Sequence, residues 1–149
     1  MNFLIKQFQQ ISTKQLFEIY KLRSRVFVVE QNCAYQDVDE LDLEAWHIML
    51  LDNKGLLVAY CRIIPPASEL DSPHIGRVVV DPANRGKRLG IEIMKLGIQK
   101  TNEIFAGKSI VISAQAYLNK FYSSLGFVAE GEGYLEDDIP HIKMVYPAK

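Results

Sequence analysis

Residues 78–94 read VVVDPANRGKRLGIEIM and combine the residue types that hold an anion. A β-branched run meets Asp-Pro, then a short loop with two glycines and three cations, then apolar residues at helical spacing. The first turn of a helix has amide hydrogens without backbone partners, and the helix dipole adds positive potential there. Glycine in the preceding loop allows the backbone to approach a ligand closely. A phosphate or pyrophosphate is therefore predicted to bind at Arg85-Gly86-Lys87-Arg88-Leu89-Gly90.

Two better-known phosphate loops do not match this stretch. The P-loop requires Gly-Lys-Ser or Gly-Lys-Thr at the start of its helix, and the Rossmann fingerprint requires three glycines and a downstream acid. The stretch has only Gly86 and Gly90. Taken alone, it is equally compatible with an ordinary strand, turn and helix that carry a solvated basic loop.

Strand-like and helix-like patterns alternate around this loop. Strand patterns occupy residues 2–8, 46–51, 56–64, 75–80, 109–114, 127–129 and 141–146. Ser12 and Gln15 form a capping box that begins the first helix, and further helices are predicted over residues 89–105 and 118–125. The order β-α-β-β-β-α-β-α-β-β predicts a mixed α/β fold, and a chain of 149 residues fits one domain, residues 1–149.

Bulk composition narrows the classes of function. A formal net charge of −1 argues against a general nucleic-acid binder. Cys33 and Cys61 lie far apart without the spacing of a metal site or a redox motif, so both are predicted to be free, buried thiols in a reducing compartment. The sequence shows no signal peptide and no run long enough to span a membrane, which predicts a cytoplasmic protein without a metal.

A second segment, AYLNKFYSSLGF at residues 116–127, changes the interpretation of the loop. Together the two stretches resemble the GNAT superfamily of acyl-CoA N-acyltransferases, and the loop resembles that family's Arg/Gln-x-x-Gly-x-Gly/Ala coenzyme A motif. Arg88 stands where the family usually has glycine, and an arginine can still donate its amide there if its φ is negative. Longer segments resemble the ElaA-type branch of bacterial GNAT proteins, namely residues 22–36, 76–80, 113–122 and 138–141.

The resemblance implies a fold, a cosubstrate and a reaction. The fold would be a mixed, mostly antiparallel central sheet flanked by helices, with coenzyme A at a splayed strand pair. The reaction would move an acetyl group directly from acetyl-CoA to an unidentified primary amine. By the same resemblance, Val78, Val79 and Val80 offer backbone groups to the cofactor, while their side chains belong to the core.

Two residues of the second segment acquire roles by resemblance. A thiol has a pKa of about 8.5 and a tyrosine about 10, so a tyrosine hydroxyl can hydrogen-bond a departing thiolate. The resemblance places Tyr122 in this acid role, and the alternative is a core aromatic residue. Asn119 lies one turn earlier and would bind the pantetheine arm, or else is a helix-surface asparagine.

The base that removes the amine proton is the least defined part of the predicted site. Residue type alone admits Glu30, Glu40, Glu44, His47, Asp81 and His141. Histidine titrates near neutral pH, so His141 is a catalytic candidate and His47 a substrate contact, or each is structural. Glu30 ends the first helical region and would bind an ammonium group or begin a water chain to solvent.

Charged residues elsewhere have two interpretations. Arg23 and Arg77 interrupt apolar patterns, and a buried arginine needs an acidic partner, which Glu30 or the region 37–39 would supply. A structural ion pair is favoured for both, and Arg77 as an anion-binding substrate contact is the alternative. Residues 32–44 read as a long acidic loop whose carboxylates either attract a cationic amine or are simply solvated.

Three functions therefore compete at this point. The first is an N-acetyltransferase acting on a small-molecule or peptide amine. The second is a module that binds or senses acyl-CoA without turnover. The third is a protein-interaction domain without a ligand. Related proteins are often dimers, so a homodimer is possible, but no segment of the sequence specifies the contact.

Overall fold

The strands form one twisted sheet in the computed structural model, which describes residues 1–68 and 71–148. They are β1 Asn2–Gln7, β2 Trp46–Leu51, β3 Leu57–Ile64, β4 His74–Val80, β5 Ile110–Gln115, β6 Val128–Ala129, β7 Tyr134–Glu136 and β8 Ile139–Tyr146. The order across the sheet is β1-β2-β3-β4-β5-β8-β6, and β7 also pairs with β8. Every pairing is antiparallel except the one between β4 and β5.

Helices cover both faces of this sheet. They are α1 Thr13–Arg23, α2 Leu41–Glu44, α3 Leu89–Ile104 and α4 Asn119–Ser124, and a π-helix, Ser24–Glu30, continues α1. The capping box at the start of α1 is confirmed, because Gln15 N–H donates to Ser12 Oγ at 3.1 Å and Ser12 N–H donates to Gln15 Oε1 at 3.0 Å. Within the described residues, no helix is long and apolar enough to cross a bilayer.

The core has two layers, one on each face of the sheet. Beneath α3 and α4, buried residues such as Ile93, Met94 and Ile110 form the larger cluster. Beneath α1, Ile19 and Leu22 pack against inward-facing residues of β2, β3 and β4. The apolar residues that recur at helical spacing in the sequence are therefore the ones by which the helices pack against the sheet.

The predicted strands and helices are all present, and the first helical region ends as the π-helix. The helix α2, the strand β7 and short 3-10 helices at Phe8–Gln10, Pro82–Asn84 and Ala116–Leu118 were not predicted. The strand β7 pairs with β8 around a two-residue turn, Asp137-Asp138, in which both residues have positive φ, 51° and 61°. Such a turn matches the twist of a hairpin, and aspartate tolerates the left-handed region better than most residues.

The two central strands separate at their carboxyl ends. The strand β4 pairs with β3 along its length, but the register between β4 and β5 is limited to His74 with Val111. The register with β3 shifts near Arg77, which has a φ of 51°, as expected for a β-bulge. The result is a splayed strand pair within a mixed, mostly antiparallel sheet flanked by helices, which confirms the predicted fold class.

Candidate active site

A cavity of about 450 Å³ fills the gap between β4 and β5. Its walls come from the π-helix, the two splayed strands, the start of α3, α4 and the β7–β8 hairpin. Residues relevant to chemistry around it are Glu30, Cys33, Tyr35, Arg77, Arg85, Ser113, Tyr122, Glu136, Asp137 and His141. The fold thus brings together segments that are far apart in sequence.

The glycine-bearing loop lies at one end of this cavity, immediately before α3. Arg88 is the residue that caps α3, and Glu92 N–H donates to Arg88 C=O at 3.2 Å. The amides of Leu89, Gly90 and Ile91 precede that bond, so helix geometry leaves them available for an anion. The Leu89 side chain itself is buried in the core, so this residue has only its backbone to offer.

Arg88 departs from the expected conformation. A negative φ was the condition for its amide to substitute for a glycine, but its φ is 61°, in the left-handed region. That region favours glycine because it carries no Cβ. The usual glycine at this position of the family motif thus has a conformational reason, and this chain tolerates a side chain there at a cost in strain.

Two cations of the loop have partners. Arg85 Nη2 donates to Glu30 Oε1 at 2.6 Å, and Lys87 Nζ donates to Asn84 Oδ1 at 3.2 Å. Glu30 reaches the cavity from the end of the π-helix, but its carboxylate is engaged with Arg85. The geometry therefore links Glu30 to the loop more directly than to proton removal.

The open edge of β4 faces the cavity. Asp81 N–H donates to Val58 C=O on β3 at 2.8 Å. Because peptide groups alternate along a strand, Val79 also points towards β3, and Val78 and Val80 point their peptide groups into the gap. All three valines line the cavity, as expected for a strand that offers backbone groups.

Tyr122 is held in an apolar position at the cavity wall. Its ring packs edge-on against Phe121 and Phe127, with centroids 5.0 and 6.0 Å away, and the residue is 8% exposed. Burial, with smaller contributions from Cys61 and Tyr117, raises the pKa of Tyr122 to about 12. No hydrogen bond joins its hydroxyl to the part of the chain that the structure describes. The hydroxyl is therefore protonated at neutral pH and available to a ligand.

Asn119 is not brought to the cavity. It is the first residue of α4, and its Oδ1 accepts a hydrogen bond from Ser123 Oγ at 3.0 Å. Residues three apart on a helix share a side only approximately, and here Tyr122 lines the cavity while Asn119 does not. The prediction that Asn119 binds the pantetheine arm is not supported by this geometry.

His141 borders the cavity from β8 and is 7% exposed. Its Nδ1 is 2.6 Å from Ile139 C=O, which only accepts, so Nδ1 carries the hydrogen. Nε2 is 3.4 Å from Glu136 Oε2. The ring stacks on Tyr134, with centroids 6.2 Å apart, and the Tyr134 hydroxyl is hydrogen-bonded to Ser113 Oγ.

His47 is wrongly predicted as a substrate contact. It is 0% exposed, and both ring nitrogens are engaged inside the protein. Nε2 lies 2.8 Å from Asp42 C=O and Nδ1 lies 2.6 Å from the Tyr60 hydroxyl, so Nε2 donates and Nδ1 accepts. Burial lowers the pKa of His47, which keeps the ring neutral.

The predicted acidic loop is largely a structural element. Arg23 pairs with Asp37 at 2.8 Å and Asp42 at 2.7 Å. The remaining pairs, with distances of 2.6 to 3.5 Å, are Arg62 with Asp39 and Asp42, and Arg77 with Asp37 and Asp39. We refer to Arg23, Arg62, Arg77, Asp37, Asp39 and Asp42 as the arginine network; its formal charges cancel.

The network corrects one expectation and confirms another. Asp37 and Asp42 are 6% and 1% exposed, so these acids are neither solvated nor available to an amine. The structural ion pair favoured for Arg23 is confirmed: of the two predicted partners the region 37–39 supplies Asp37, and Asp42 is a further partner. Arg77 borders the cavity, but its guanidinium is occupied by the network and stacks over Tyr35, so an anion-binding role is not supported.

The cysteines are both free, as predicted, but only Cys61 is fully buried. Cys33 is partly exposed, borders the cavity and lies with its Sγ 3.7 Å from Asp137 C=O. Burial raises the pKa of Cys61 to about 12.

Comparisons with known proteins agree with this geometry. A family profile described as an acetyltransferase (GNAT) domain matches residues 9–147. Protein ElaA of Escherichia coli is 42% identical over 137 residues, which cover 91% of this chain and 89% of ElaA. The chain therefore belongs to the GNAT acetyltransferase family. Within that family, its similarity to ElaA extends over nearly the whole chain and supports the ElaA-type branch.

Solved structures and a eukaryotic relative extend the comparison. The structure of E. coli ElaA superposes with a TM-score of 0.89 at 40% identity, and an acyl-CoA N-acyltransferase of Pseudomonas aeruginosa with 0.90 at 41%. Each comparison covers 97% of this chain and 99% of the other. A UPF0039 protein of Schizosaccharomyces pombe is 43% identical over 145 residues, covering 97% of this chain and 95% of that protein. Such proteins are thus not confined to bacteria.

Proposed function

We propose that residues 1–149 form a single N-acetyltransferase domain that moves an acetyl group from acetyl-CoA directly to a primary amine. The observation that carries this proposal is the hydroxyl of Tyr122. It is buried, protonated and without a protein hydrogen-bond partner in the described chain, and it borders the cavity between the splayed strands. A binding module has no need of such a group, whereas acyl transfer from a thioester does.

The residues present fit coenzyme A. Free amides at the start of α3, together with Arg85, Lys87 and Arg88, suit its pyrophosphate. The open edge of β4 suits the amide groups of its pantetheine arm, which would pair there as an added strand does. Gly90 lies between these parts, and a Cβ on it would be 3.6 Å from Phe121 Cζ and 3.9 Å from Val80 Cγ2.

When bound, acetyl-CoA supplies an acetyl group activated as a thioester. A peptide N–H of Val78 or Val80 would donate to the thioester oxygen, where negative charge develops. Tyr122 Oη would donate to the sulfur as the C–S bond breaks. Because the pKa of Tyr122 is about 12 and that of a thiol about 8.5, Tyr122 would stabilise the thiolate by a hydrogen bond while solvent supplies the proton.

The cofactor site is tested by titrating acetyl-CoA into purified protein in a calorimeter. Gly86→Glu should abolish binding, because it places a carboxylate in the anion loop. Gly107→Glu is the matched control: Gly86 has a φ of 80° and Gly107 of 79°, and a Cβ on either meets nothing within 4 Å. Equal strain is therefore introduced at both positions, and only the first should lose the ligand. Failure of the wild-type protein to bind acetyl-CoA would refute the proposed function.

Turnover is tested separately with Tyr122→Phe, which keeps the ring packing and removes the hydroxyl. Loss of a positioned proton donor should lower kcat by about a hundredfold while acetyl-CoA binding is retained. Thiol release measured with an accepted amine provides the readout. Undiminished turnover in this variant would remove Tyr122 from the mechanism and leave the cofactor site standing.

A further inference from the structure

The cavity is bordered by groups of both charges. Arg85, from the loop that precedes α3, borders it and is paired with Glu30. Glu136 and Asp137 of the β7–β8 hairpin also border it, and we refer to this part as the acidic end. These two belong to residues 130–138, EGEGYLEDD, which contain five acids and no cation. We refer to this stretch as the hairpin acids. A ligand in the cavity would thus meet exposed carboxylates at the acidic end.

Two hydrogen-bond acceptors face each other at the acidic end. Nδ1 of His141 donates to Ile139 C=O at 2.6 Å, so Nε2 of the neutral ring has a lone pair and no hydrogen. The nearest partner of that lone pair is Glu136 Oε2 at 3.4 Å, which is also an acceptor. Two facing acceptors repel unless a donor lies between them or a proton is taken up. The pair is therefore suited to bind a cationic donor and to take up its proton.

His141 is held so that this lone pair cannot turn away. The ring is stacked on Tyr134, and the Tyr134 hydroxyl is anchored to Ser113. His47 shows the contrasting structural case, because both of its ring nitrogens are engaged by complementary groups. In His141, a backbone carbonyl engages Nδ1, whereas Nε2 faces the carboxylate of Glu136 beside the cavity.

The nearby cations are paired with carboxylates, so the acidic end keeps a net negative charge. Arg77 is neutralised by Asp37 and Asp39 in the arginine network. Lys143, two residues from His141 on β8, has its Nζ 3.3 Å from Glu130 Oε1. Asp137 adds a carboxylate to the cavity wall.

We propose that the acceptor of this enzyme is a primary amine that carries a second cationic group. Glu136 holds its reacting ammonium group, Nε2 of His141 removes the proton, and the other hairpin acids attract the second cation. This inference rests on the proposed acetyltransferase function and names the substrate class for the same site. It also adds Glu136, which sequence patterns did not indicate, to the groups that contact the substrate.

The protons and bonds balance in this scheme. The ammonium group loses one proton to His141 Nε2, and the imidazolium is then stabilised by Glu136. The free amine forms a C–N bond to the acyl carbon while the C–S bond breaks, and the sulfur leaves with the electron pair. A second amine proton reaches the sulfur through solvent, and the third stays on the amide. His141 returns its proton to solvent, so one proton is released overall.

The substrate class is tested with three amines of one chain length: cadaverine, n-pentylamine and δ-aminovalerate. Their distal groups are cationic, neutral and anionic, and thiol release from acetyl-CoA is the readout. We expect kcat/KM to fall in that order, by at least about tenfold between the first and the last, as charge steering and charged hydrogen bonds predict. Equal use of all three, or a preference for δ-aminovalerate, would overturn the inference.

The residues are tested with Glu136→Gln, for which Glu132→Gln is the matched control. Both are exposed acids of the same hairpin, but Glu132 does not border the cavity. Glu136→Gln should raise KM for the amine roughly tenfold, because a charged hydrogen bond is lost. Glu132→Gln should leave KM unchanged. An equal response of the two variants would show general attraction by the acids and would contradict the role of Glu136.

His141→Gln tests the base. A free alkylamine has a pKa of about 10.4, so raising the pH supplies neutral amine from solution. The variant should be weakly active at neutral pH and should recover as the pH rises, more steeply than the wild-type protein. A low activity that does not recover, in folded protein, would exclude His141 as the base.

These results are separable from the proposed function. If wild-type protein binds acetyl-CoA and turns over amines without regard to their charge, the acetyltransferase stands and the acceptor inference fails. If acetyl-CoA does not bind, the proposed function itself fails.

Discussion

The molecule has two acidic stretches, and they have opposite fates. In residues 37–44, Asp37 and Asp42 are buried and Asp39 is partly buried, and all three are paired with arginines. In residues 130–138, the acids are exposed. Both stretches look alike in the sequence as polar, charged loops. What separates them is whether the fold buries the carboxylates against arginines.

The difference concerns function as well as stability. Carboxylates that are paired with arginines exert little net electrostatic attraction on a ligand. The paired acids of the first stretch therefore hold the segments around the cavity in place. Acids without such partners remain available, so the hairpin acids can act on a substrate. A carboxylate should therefore be assigned to a site by its partners rather than by its position in an acidic run.

Among the changes that test this contrast, Asp42→Ala should cause the largest loss of stability. Removing this carboxylate leaves Arg23 and Arg62 partly uncompensated in a buried position, which should cost about 3–5 kcal/mol of unfolding free energy. Urea unfolding followed by circular dichroism measures it. Glu132→Ala serves as the control from the other stretch. A loss below about 1 kcal/mol for Asp42→Ala would show that water reaches the network.

The second largest effect should be on the pH dependence of stability, to which the first acidic stretch should contribute and Glu136 should not. Burial alone would raise the pKa of Asp42 and of Asp39, but hydrogen bonds and charge from the arginines outweigh it, so both pKa values are lowered. Such groups stabilise the fold above their unfolded value of about 3.9 and lose that contribution as the pH falls through the lowered value. Stability measured from pH 7 downward should therefore fall below about pH 4. The slope of unfolding free energy against pH should be the same in Glu136→Gln as in the wild-type protein. A different slope in that variant would show that Glu136 also contributes to the stability of the fold.

Arg88, the residue that caps α3, offers a smaller test. Its φ of 61° strains a residue with a side chain. Arg88→Gly should raise the unfolding free energy by about 1 kcal/mol, because relief of strain exceeds the entropy cost of glycine. The same change should weaken acetyl-CoA binding by removing a cation. Stability that falls instead would mean that the arginine side chain, rather than the backbone, determines this position.

The smallest expected effect is on the stability of variants of the hairpin acids. Glu136→Gln and Glu132→Gln should each change the unfolding free energy by less than about 0.5 kcal/mol, as is usual for exposed residues. Only the first should change amine kinetics. A marked loss of stability in Glu136→Gln would assign this carboxylate a structural role like that of Asp42.

Local features of the fold were readable from the sequence, because they depend on neighbouring residues. Periodicity located α3, the capping box located the start of α1, and the run from Val78 to Gly90 placed strand, loop and helix correctly. The resemblance to GNAT proteins supplied the splay and the place of Tyr122. The left-handed conformation of Arg88 was missed, because a motif position specifies a residue type and not its φ.

Long-range pairing was out of reach. Arg23 and Arg62 are 19 and 20 residues from Asp42 in the chain, and no local pattern indicates which acid each would meet. Glu136 was missed because residues 130–138 resemble a glycine-rich loop. The adjacent aspartates at its end were an available signal for a hairpin turn, and with that turn Glu136 would have been placed opposite Ile139 and near His141.

The single paired register position between β4 and β5 has a mechanical consequence. The sheet consists of two panels, β1–β4 and β5–β8, and Val111 N–H to Pro73 C=O at 3.0 Å lies beside the pairing of His74 with Val111. A cosubstrate lying along β4 would form the backbone hydrogen bonds with β4 that β5 does not form. The panels would then open as one cooperative unit instead of two. Hydrogen exchange would register this as slowed exchange at the amides of Val78 and Val80, at the seam where the chain itself leaves the ladder incomplete.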